Sequence, residues 1–169
     1  MLLNHQDLNN QPEKAIKESK KIDFRISLNF LAFLRIDQDV CKNQEKLKIQ
    51  GGSTALCALM NSNGIHLANV GDSKAVVFRG DQQLALNIEH RANNEEEKTR
   101  VERRGGVVFE KKGRSSSRFL VQGALELTRS IGDISYKKYI TSEPDILNYK
   151  FDSNDEYIIL ASDGFWNVT

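Results

Sequence analysis

Residues 64–79, with the sequence GIHLANVGDSKAVVFR, contain two short apolar segments separated by Gly-Asp-Ser. Two further apolar segments flank them: residues 54–60 lie before an Asn-Ser-Asn-Gly turn, and residues 83–88 lie after an Arg-Gly-Asp turn. Strands joined by such short turns pair as antiparallel hairpins, because a parallel pair requires a much longer crossover connection. The sequence therefore predicts antiparallel strands in the middle of the chain.

Helical patterns surround this strand region. Apolar residues recur every three or four positions within residues 13–48, which predicts one long or two shorter amphipathic helices packed on a sheet. A helical hairpin that binds a partner is the alternative. Residues 93–106 predict another helix, and a helix-like stretch is expected around residues 125–131. Residues 145–151 and 156–161 are expected to form a final strand pair, so the fold class is α+β.

The helix predicted at residues 93–106 carries signals at both ends. Asn94 followed by Glu97 fits a capping box, and Gly105 can adopt the left-handed conformation that ends a helix. Glu96 and Arg100 have the spacing of an ion pair along one helix face.

Composition limits the classes of function. The chain has 169 residues, of which 39% are hydrophobic and 28% are charged, and these values are typical of one globular domain. A net charge of +1 gives no support to nucleic-acid binding. We find no signal peptide and no apolar run of about 20 residues, so membrane insertion is not expected. Cys41 and Cys57 lack metal-site spacing and are expected to be reduced packing residues of an intracellular protein, in the cytoplasm or nucleus.

Three aspartates lie at strand or helix ends marked by glycine, namely Asp72, Asp133 and Asp163. Carboxylates at strand ends can converge on one edge of a sheet, and clustered carboxylate oxygens suit Mg²⁺ or Mn²⁺. Each Gly-Asp or Asp-Gly taken singly is more often a plain turn. The three histidines have no zinc-site spacing, and His90 is expected at the surface.

A basic segment at residues 111–118 is predicted to be a flexible loop. Its cations could together hold a phosphate group, although a solvated, mobile loop is the favoured interpretation. These cations are Lys111, Lys112, Arg114 and Arg118.

Several motifs in order resemble the metal-dependent type 2C protein phosphatases, the PPM family. The resemblance covers about residues 51–169, with the helices of residues 13–48 packed before it. The motifs are Gly52-Ser53-Thr54-Ala55, residues 68–76 (ANVGDSKAV), Glu89-His90-Arg91, residues 102–107 (ERRGGV), residues 123–133 (GALELTRSIGD), Ser142-Glu143-Pro144-Asp145 and residues 159–167 (ILASDGFWN).

This resemblance implies an antiparallel β-sandwich flanked by helices, in four α-β-β-α layers, here incomplete. It implies hydrolysis of phosphoserine and phosphothreonine in protein substrates at a two-metal Mg²⁺ or Mn²⁺ centre, where a metal-activated water attacks phosphorus. By position, Asp163 looks like the core ligand of the second metal, and Asp72 looks like a ligand of a weaker third site shared with Asp163. Residues 107–122 look like the family's flap, whose basic loop would face substrates.

The chain also departs from the family pattern. The Asp-Gly-His-Gly motif expected before residues 13–48 has no match, and the late Asp-Asn motif would lie beyond Thr169. Asn167 replaces the aspartate usual after the tryptophan, which should weaken the third metal site. Glu89 replaces the aspartate usual before His90.

Two interpretations follow. In the first, residues 1–12 are a polar segment and residues 13–169 are a partial phosphatase domain, with helices at 13–48 and a strand and flap region at 51–169. Such a fragment should have little or no activity, and its unpaired sheet edges should favour association. In the second, the chain is a catalytically dead relative that binds phosphoproteins or another partner.

Overall fold

The structure, a computed structural model, describes residues 24–113 and 116–168. The polar segment predicted at 1–12 and the beginning of the helical region at 13 lie outside the described residues. From Phe24 onward the helical prediction is confirmed, because a single helix, α1, covers Phe24–Leu47. None of the helices in the described part of the chain has the length and hydropathy needed to cross a membrane.

Two three-stranded antiparallel sheets form the centre of the molecule. The strands of the first sheet, in spatial order, are β2 (Ala55–Asn61), β3 (Gly64–Val70) and β9 (Asp145–Lys150). Those of the second sheet are β10 (Tyr157–Ala161), β4 (Lys74–Arg79) and β5 (Gln82–Ala85). The predicted hairpins β2–β3 and β4–β5 are therefore confirmed.

The two sheets pack face to face, which confirms the β-sandwich. Ile65 and Leu67 of the first sheet form one buried cluster with Ala75 and Val77 of the second and with Leu86. Helix α1 lies on the outer face of the first sheet, where Phe33 joins a second cluster with β3 residues.

The predicted pairing of the last two strands is wrong. Strand β9 pairs with β3 of the first sheet, and β10 pairs with β4 of the second. The connection between them crosses from one sheet to the other, so that Leu147 and Ile158 pack on the same inter-sheet cluster from opposite sides.

A smaller unit contains helix α2 (Glu95–Arg103) and the hairpin of β6 (Val108–Lys112) and β7 (Ser117–Val121). Its core consists of Ala92, Val101, Val121 and Ile140. The prediction of a flexible loop at residues 111–118 is wrong at both ends of the segment, because Lys111 and Lys112 of β6 pair with Arg118 and Ser117 of β7.

The end signals of α2 are confirmed in part. The Asn94 side chain accepts hydrogen bonds from the backbone of Glu96 and Glu97, and Gly105 has a φ of 77°. The predicted pairing of Glu96 with Arg100 is wrong, because Arg100 contacts Glu97 instead.

The helix expected around residues 125–131 is not formed. Backbone groups of this segment bind neighbouring segments instead: Glu126 accepts from Ala92, and Thr128 donates to His90. These non-local hydrogen bonds replace the helical ones. Strand β8 (Ile131–Gly132) then pairs with β1 (Gly52–Ser53), and a short 3₁₀ helix follows at Ile134–Tyr136.

Candidate metal centre

Asp72 and Asp163 lie close together because strands β4 and β10 are antiparallel neighbours. Lys74, at the beginning of β4, pairs with Ala161, at the end of β10. Asp72 lies two residues before the first of these positions, and Asp163 lies two residues after the second. Asp163 is also the first residue of the short helix α3 (Asp163–Trp166). Sheet register therefore brings the two carboxylates to the same edge.

One guanidinium lies between these two carboxylates. The Arg91 Nη2 atom is 2.9 Å from Asp72 Oδ2 and 3.8 Å from Asp163 Oδ2. Burial raises the pKa of Asp72, Arg91 lowers it, and the nearby Asp163 raises it further. The net direction of this pKa shift is upward, because burial of the Asp72 carboxylate outweighs the attraction of Arg91.

The donor atoms fit a hard divalent cation, since carboxylate oxygens are the ligands that Mg²⁺ and Mn²⁺ prefer. The number of donors is small. Within residues 24–113 and 116–168, no group of three or more His, Cys, Asp or Glu residues could hold a metal ion. The described residues therefore offer two candidate ligands and not a complete coordination shell.

The third predicted aspartate has different contacts. Asp133 adopts a left-handed conformation with a φ of 54°, and its amide donates to the Gly51 carbonyl at 2.7 Å. Its carboxylate lies so close to Gly52 that a Cβ atom at that glycine would overlap it. These contacts place Asp133 beside the paired strands β1 and β8. Of the three aspartates, Asp72 and Asp163 are the two that lie near the Arg91 guanidinium.

Asn167 lies at the end of helix α3, where its backbone amide donates to the backbone carbonyl of Asp163 at 2.8 Å. Trp166 donates to the Ala161 carbonyl at 2.9 Å through Nε1. These contacts fix the short helix against the end of β10. The metal role of the Asn167 side chain stays a prediction.

The hairpin of β6 and β7, which we call the basic hairpin, connects to Asp72 and Asp163 through Glu126. Arg118 forms an ion pair with Glu126, and Arg91 Nη1 lies 3.7 Å from Glu126 Oε2. A cavity of about 270 Å³ lies between Arg91 and Arg118. Lys111 and Lys112 are exposed residues of β6. Arg114 lies outside the described residues.

His90 is buried, so its predicted surface location is wrong. Only 1% of its area is exposed. Its Nδ1 atom accepts from the Gly71 amide at 3.1 Å, and its Nε2 atom lies 3.0 Å from Asp145 Oδ2. Asp145 is 55 residues away in the chain, and local sequence carries no signal for a contact of that kind.

Sequence reasoning also missed a buried ionic network around Glu97. Its carboxylate accepts hydrogen bonds from Arg129, Arg100 and the Thr128 hydroxyl. A signal was present, because Glu97 precedes the core residue Val101 by four positions and therefore shares its helix face.

Comparison with known proteins identifies relatives that match most of the chain. The family model for protein phosphatase 2C matches residues 4–169. A rice protein (Oryza sativa subsp. japonica), Probable protein phosphatase 2C 32, is 37% identical over 135 residues, which are 80% of this chain and 32% of the relative. An Arabidopsis thaliana protein, Probable protein phosphatase 2C 59, is 35% identical over 137 residues, which are 81% of this chain and 42% of the relative. The chain therefore spans less than half the length of these relatives.

Solved structures give a consistent result. A C. elegans sex determining protein superposes with a TM-score of 0.78 at 28% identity, covering 92% of this chain and 38% of that one. The serine-threonine phosphatase 2C from Toxoplasma gondii superposes with a TM-score of 0.72, covering all of this chain and 57% of that one. At 20% identity the second comparison supports the fold alone. With a family match over nearly its full length and a sandwich shared with these structures, the chain belongs to the protein phosphatase 2C family.

Proposed function

We propose that this chain serves in metal-dependent hydrolysis of phosphoserine and phosphothreonine in proteins, and that Asp163 and Asp72 are metal ligands. Family membership supports the reaction class. The observation that carries the site assignment is the position of both carboxylates around one guanidinium, where Asp72 is largely buried. Two anionic groups held together in this way favour a cation between them.

The chemistry that paired Mg²⁺ or Mn²⁺ ions supply is acidification of a water and stabilisation of the phosphoryl oxygens. The residues of this chain have separate tasks. Asp163, just after β10, and Asp72, before β4, would hold the cation at the sheet edge. Asn167 would contribute a neutral oxygen to a weaker third site. Arg91 balances the charge of the carboxylates, and Glu126 holds Arg91 on its other side.

We assign substrate contact to the basic hairpin. It lies beside the aspartate pair through the Arg118–Glu126–Arg91 chain of ion pairs. Its cations could bind acidic or phosphorylated regions of a protein substrate. They are Lys111, Lys112, Arg114 and Arg118.

The 169-residue chain should bind metal weakly and have little or no activity by itself, because two carboxylates leave most of a coordination shell to water. The second candidate function is a catalytically inactive relative that binds phosphoproteins. Asn167 favours it, since an amide in place of a carboxylate removes a negative charge from the site. For either function we expect an intracellular location, in the cytoplasm or nucleus. This expected location is supported by Cys41 and Cys57, which are both free thiols.

The experiment combines metal binding with hydrolysis. Mn²⁺ is titrated into the chain while Trp166 fluorescence is followed, and a phosphothreonine peptide is then assayed with Mn²⁺ and in a metal-free control. We expect weak binding that Asp163→Asn and Asp72→Asn both reduce, with turnover close to the control. A Mn²⁺ affinity that neither substitution changes contradicts the proposed site. Turnover that Asp163→Ala abolishes excludes the binding-only candidate.

A further inference from the structure

His90 and Gly71 bind each other through two hydrogen bonds. The Gly71 amide donates to His90 Nδ1 at 3.1 Å, and the His90 amide donates to the Gly71 carbonyl at 3.0 Å. The Asn69 side chain donates to the same carbonyl at 3.1 Å. Both polar groups of the Gly71 backbone are therefore fixed by buried partners, directly before Asp72.

The geometry specifies the tautomer of His90. A backbone amide can only donate, so the Nδ1 atom that faces Gly71 carries no proton. The ring proton is then on Nε2, which donates to Asp145 Oδ2 at 3.0 Å. Asp145 in turn accepts from Arg129 Nη1 at 2.6 Å, and Arg129 is held by the buried Glu97. A chain of charged groups thus sets which nitrogen of His90 is an acceptor.

The turn that His90 holds cannot easily be formed in another way. Gly71 has a φ of 101°, a conformation that residues with side chains rarely adopt, and a Cβ atom there would overlap Thr54. Asp72 follows in the same turn and directs its carboxylate to Arg91 and toward Asp163. The His90 imidazole fixes the Val70–Gly71 peptide through its amide. The His90 backbone amide and the Asn69 side chain fix the Gly71 carbonyl, so both peptides that lead to Asp72 are held. The direction of the Asp72 carboxylate depends on the orientation of these two peptides.

We propose that His90 is a positioning residue for Asp72 and acts through the Gly71 amide, with Asp145 fixing its tautomer. This inference rests on the metal-site function proposed above. Partners that orient a metal ligand typically contribute about 10-fold to 100-fold in metal affinity. The imidazole forms its hydrogen bonds with Gly71 and Asp145, so its effect on metal binding is indirect.

Two substitutions separate the two hydrogen bonds of the imidazole. In His90→Asn the amide oxygen can take the place of Nδ1 and accept from Gly71, while the contact with Asp145 is lost. In His90→Gln the side-chain amide nitrogen can take the place of Nε2 and donate to Asp145, while the contact with Gly71 is lost. Each variant loses one buried hydrogen bond, so we expect similar decreases in melting temperature.

The readout is the Mn²⁺ dissociation constant of the wild-type chain, both His90 variants and Asp72→Asn. We expect His90→Gln to weaken Mn²⁺ binding about 10-fold or more, and His90→Asn to bind within about 3-fold of wild type. Equal losses in both variants, in step with the melting temperature, would indicate a merely structural role and overturn the inference. The inference is also overturned if Asp72→Asn weakens Mn²⁺ binding and neither His90 variant weakens it.

Long-range ¹⁵N–¹H NMR spectra of the wild-type imidazoles test the tautomer without any metal. The His90 signals are assigned by their disappearance in either variant, and we expect an unprotonated Nδ1. A proton on Nδ1 overturns the inference even if a variant fails to fold. If Asp72→Asn leaves Mn²⁺ binding unchanged while Nδ1 is unprotonated, the metal assignment of Asp72 fails and the positioning role fails with it. The Gly71–His90 contact then remains as structure only.

Discussion

Arg129 and Glu97 form a buried, two-point ion pair that joins helix α2 to the segment before β8. Arg129 Nη2 lies 2.7 Å from Glu97 Oε1, and Nε lies 3.1 Å from Oε2. Arg100 and the Thr128 hydroxyl contact the same carboxylate at 2.8 and 2.5 Å. This network also holds Asp145, and through it the His90 imidazole.

Loss of the Glu97 carboxylate should destabilise the chain strongly. Glu97→Ala leaves two arginines without their shared anion, and breaking a buried ion pair from one side costs about 3–5 kcal/mol of unfolding free energy. Urea denaturation measures the change. The control is Glu96→Ala, an exposed residue of the same helix, for which we expect less than about 0.5 kcal/mol. Similar small losses in both variants would contradict the network's role.

Stability should fall in acid through the same carboxylate. Burial would raise the pKa of Glu97, but hydrogen bonds from Arg129, Arg100 and Thr128 outweigh burial and lower it well below the ordinary range. A lowered folded-state pKa contributes stability above the unfolded pKa, and this stability is lost as pH falls toward the folded value. The difference in unfolding free energy between wild type and Glu97→Gln should therefore shrink between about pH 6 and about pH 3. A constant difference over that interval would show that Glu97 is not stabilised as an anion.

Removal of Arg91 should strengthen cation binding. Its guanidinium contacts Asp72 at 2.9 Å and lies 3.8 Å from Asp163, so it competes with a metal ion for both carboxylates. For Arg91→Met we expect Mn²⁺ to bind about 5-fold more tightly, equivalent to about 1 kcal/mol for a partly screened ion pair. Arg103→Met, at an exposed position of α2, is the matched control and should have no effect. Weaker binding in Arg91→Met would mean that the arginine orients the ligands and does not compete.

Association of the chain should depend on a groove between the edge strands β2 and β10. The groove has a volume of about 580 Å³, and Met60, Tyr157 and Leu160 are among the residues that line it. Met60 is 72% exposed, and uncovered apolar edges favour self-association. Light scattering after size exclusion should show concentration-dependent oligomers that Met60→Glu reduces. Leu47→Glu, at a 61% exposed position in α1, should not reduce them. A monomer at all concentrations would contradict this prediction.

The sequence predicted those parts of the fold that depend on short-range signals. The hairpins around Asn61-Ser62-Asn63-Gly64 and Arg79-Gly80-Asp81 follow from turn chemistry within a few residues. Gly105 likewise marked the end of α2. The partners of β9 and β10 could not be predicted in this way, because both strands pair with strands that are distant in the chain. Only the packing of the two sheets determines which sheet each strand joins.

The candidate site was predictable to a similar extent. Glycine-marked ends identified Asp72 and Asp163, and antiparallel register then brought them together. The burial of His90 depends on Asp145, and the conformation of residues 125–131 depends on backbone groups near residues 90–92. Neither contact has a local pattern. The family resemblance located these segments without predicting their contacts.

Mn²⁺ binding to defined variants tests the metal-site proposal most directly. Free Mn²⁺ is measured by electron paramagnetic resonance during titration of the wild-type chain, Asp72→Asn, Asp163→Asn and the exposed control Asp81→Asn. Loss of either carboxylate should weaken binding about 10-fold or more, because a site with few anionic ligands depends on each of them, and the control should match wild type. Equal affinity in all four proteins would contradict the assignment of Asp72 and Asp163 as a shared metal site.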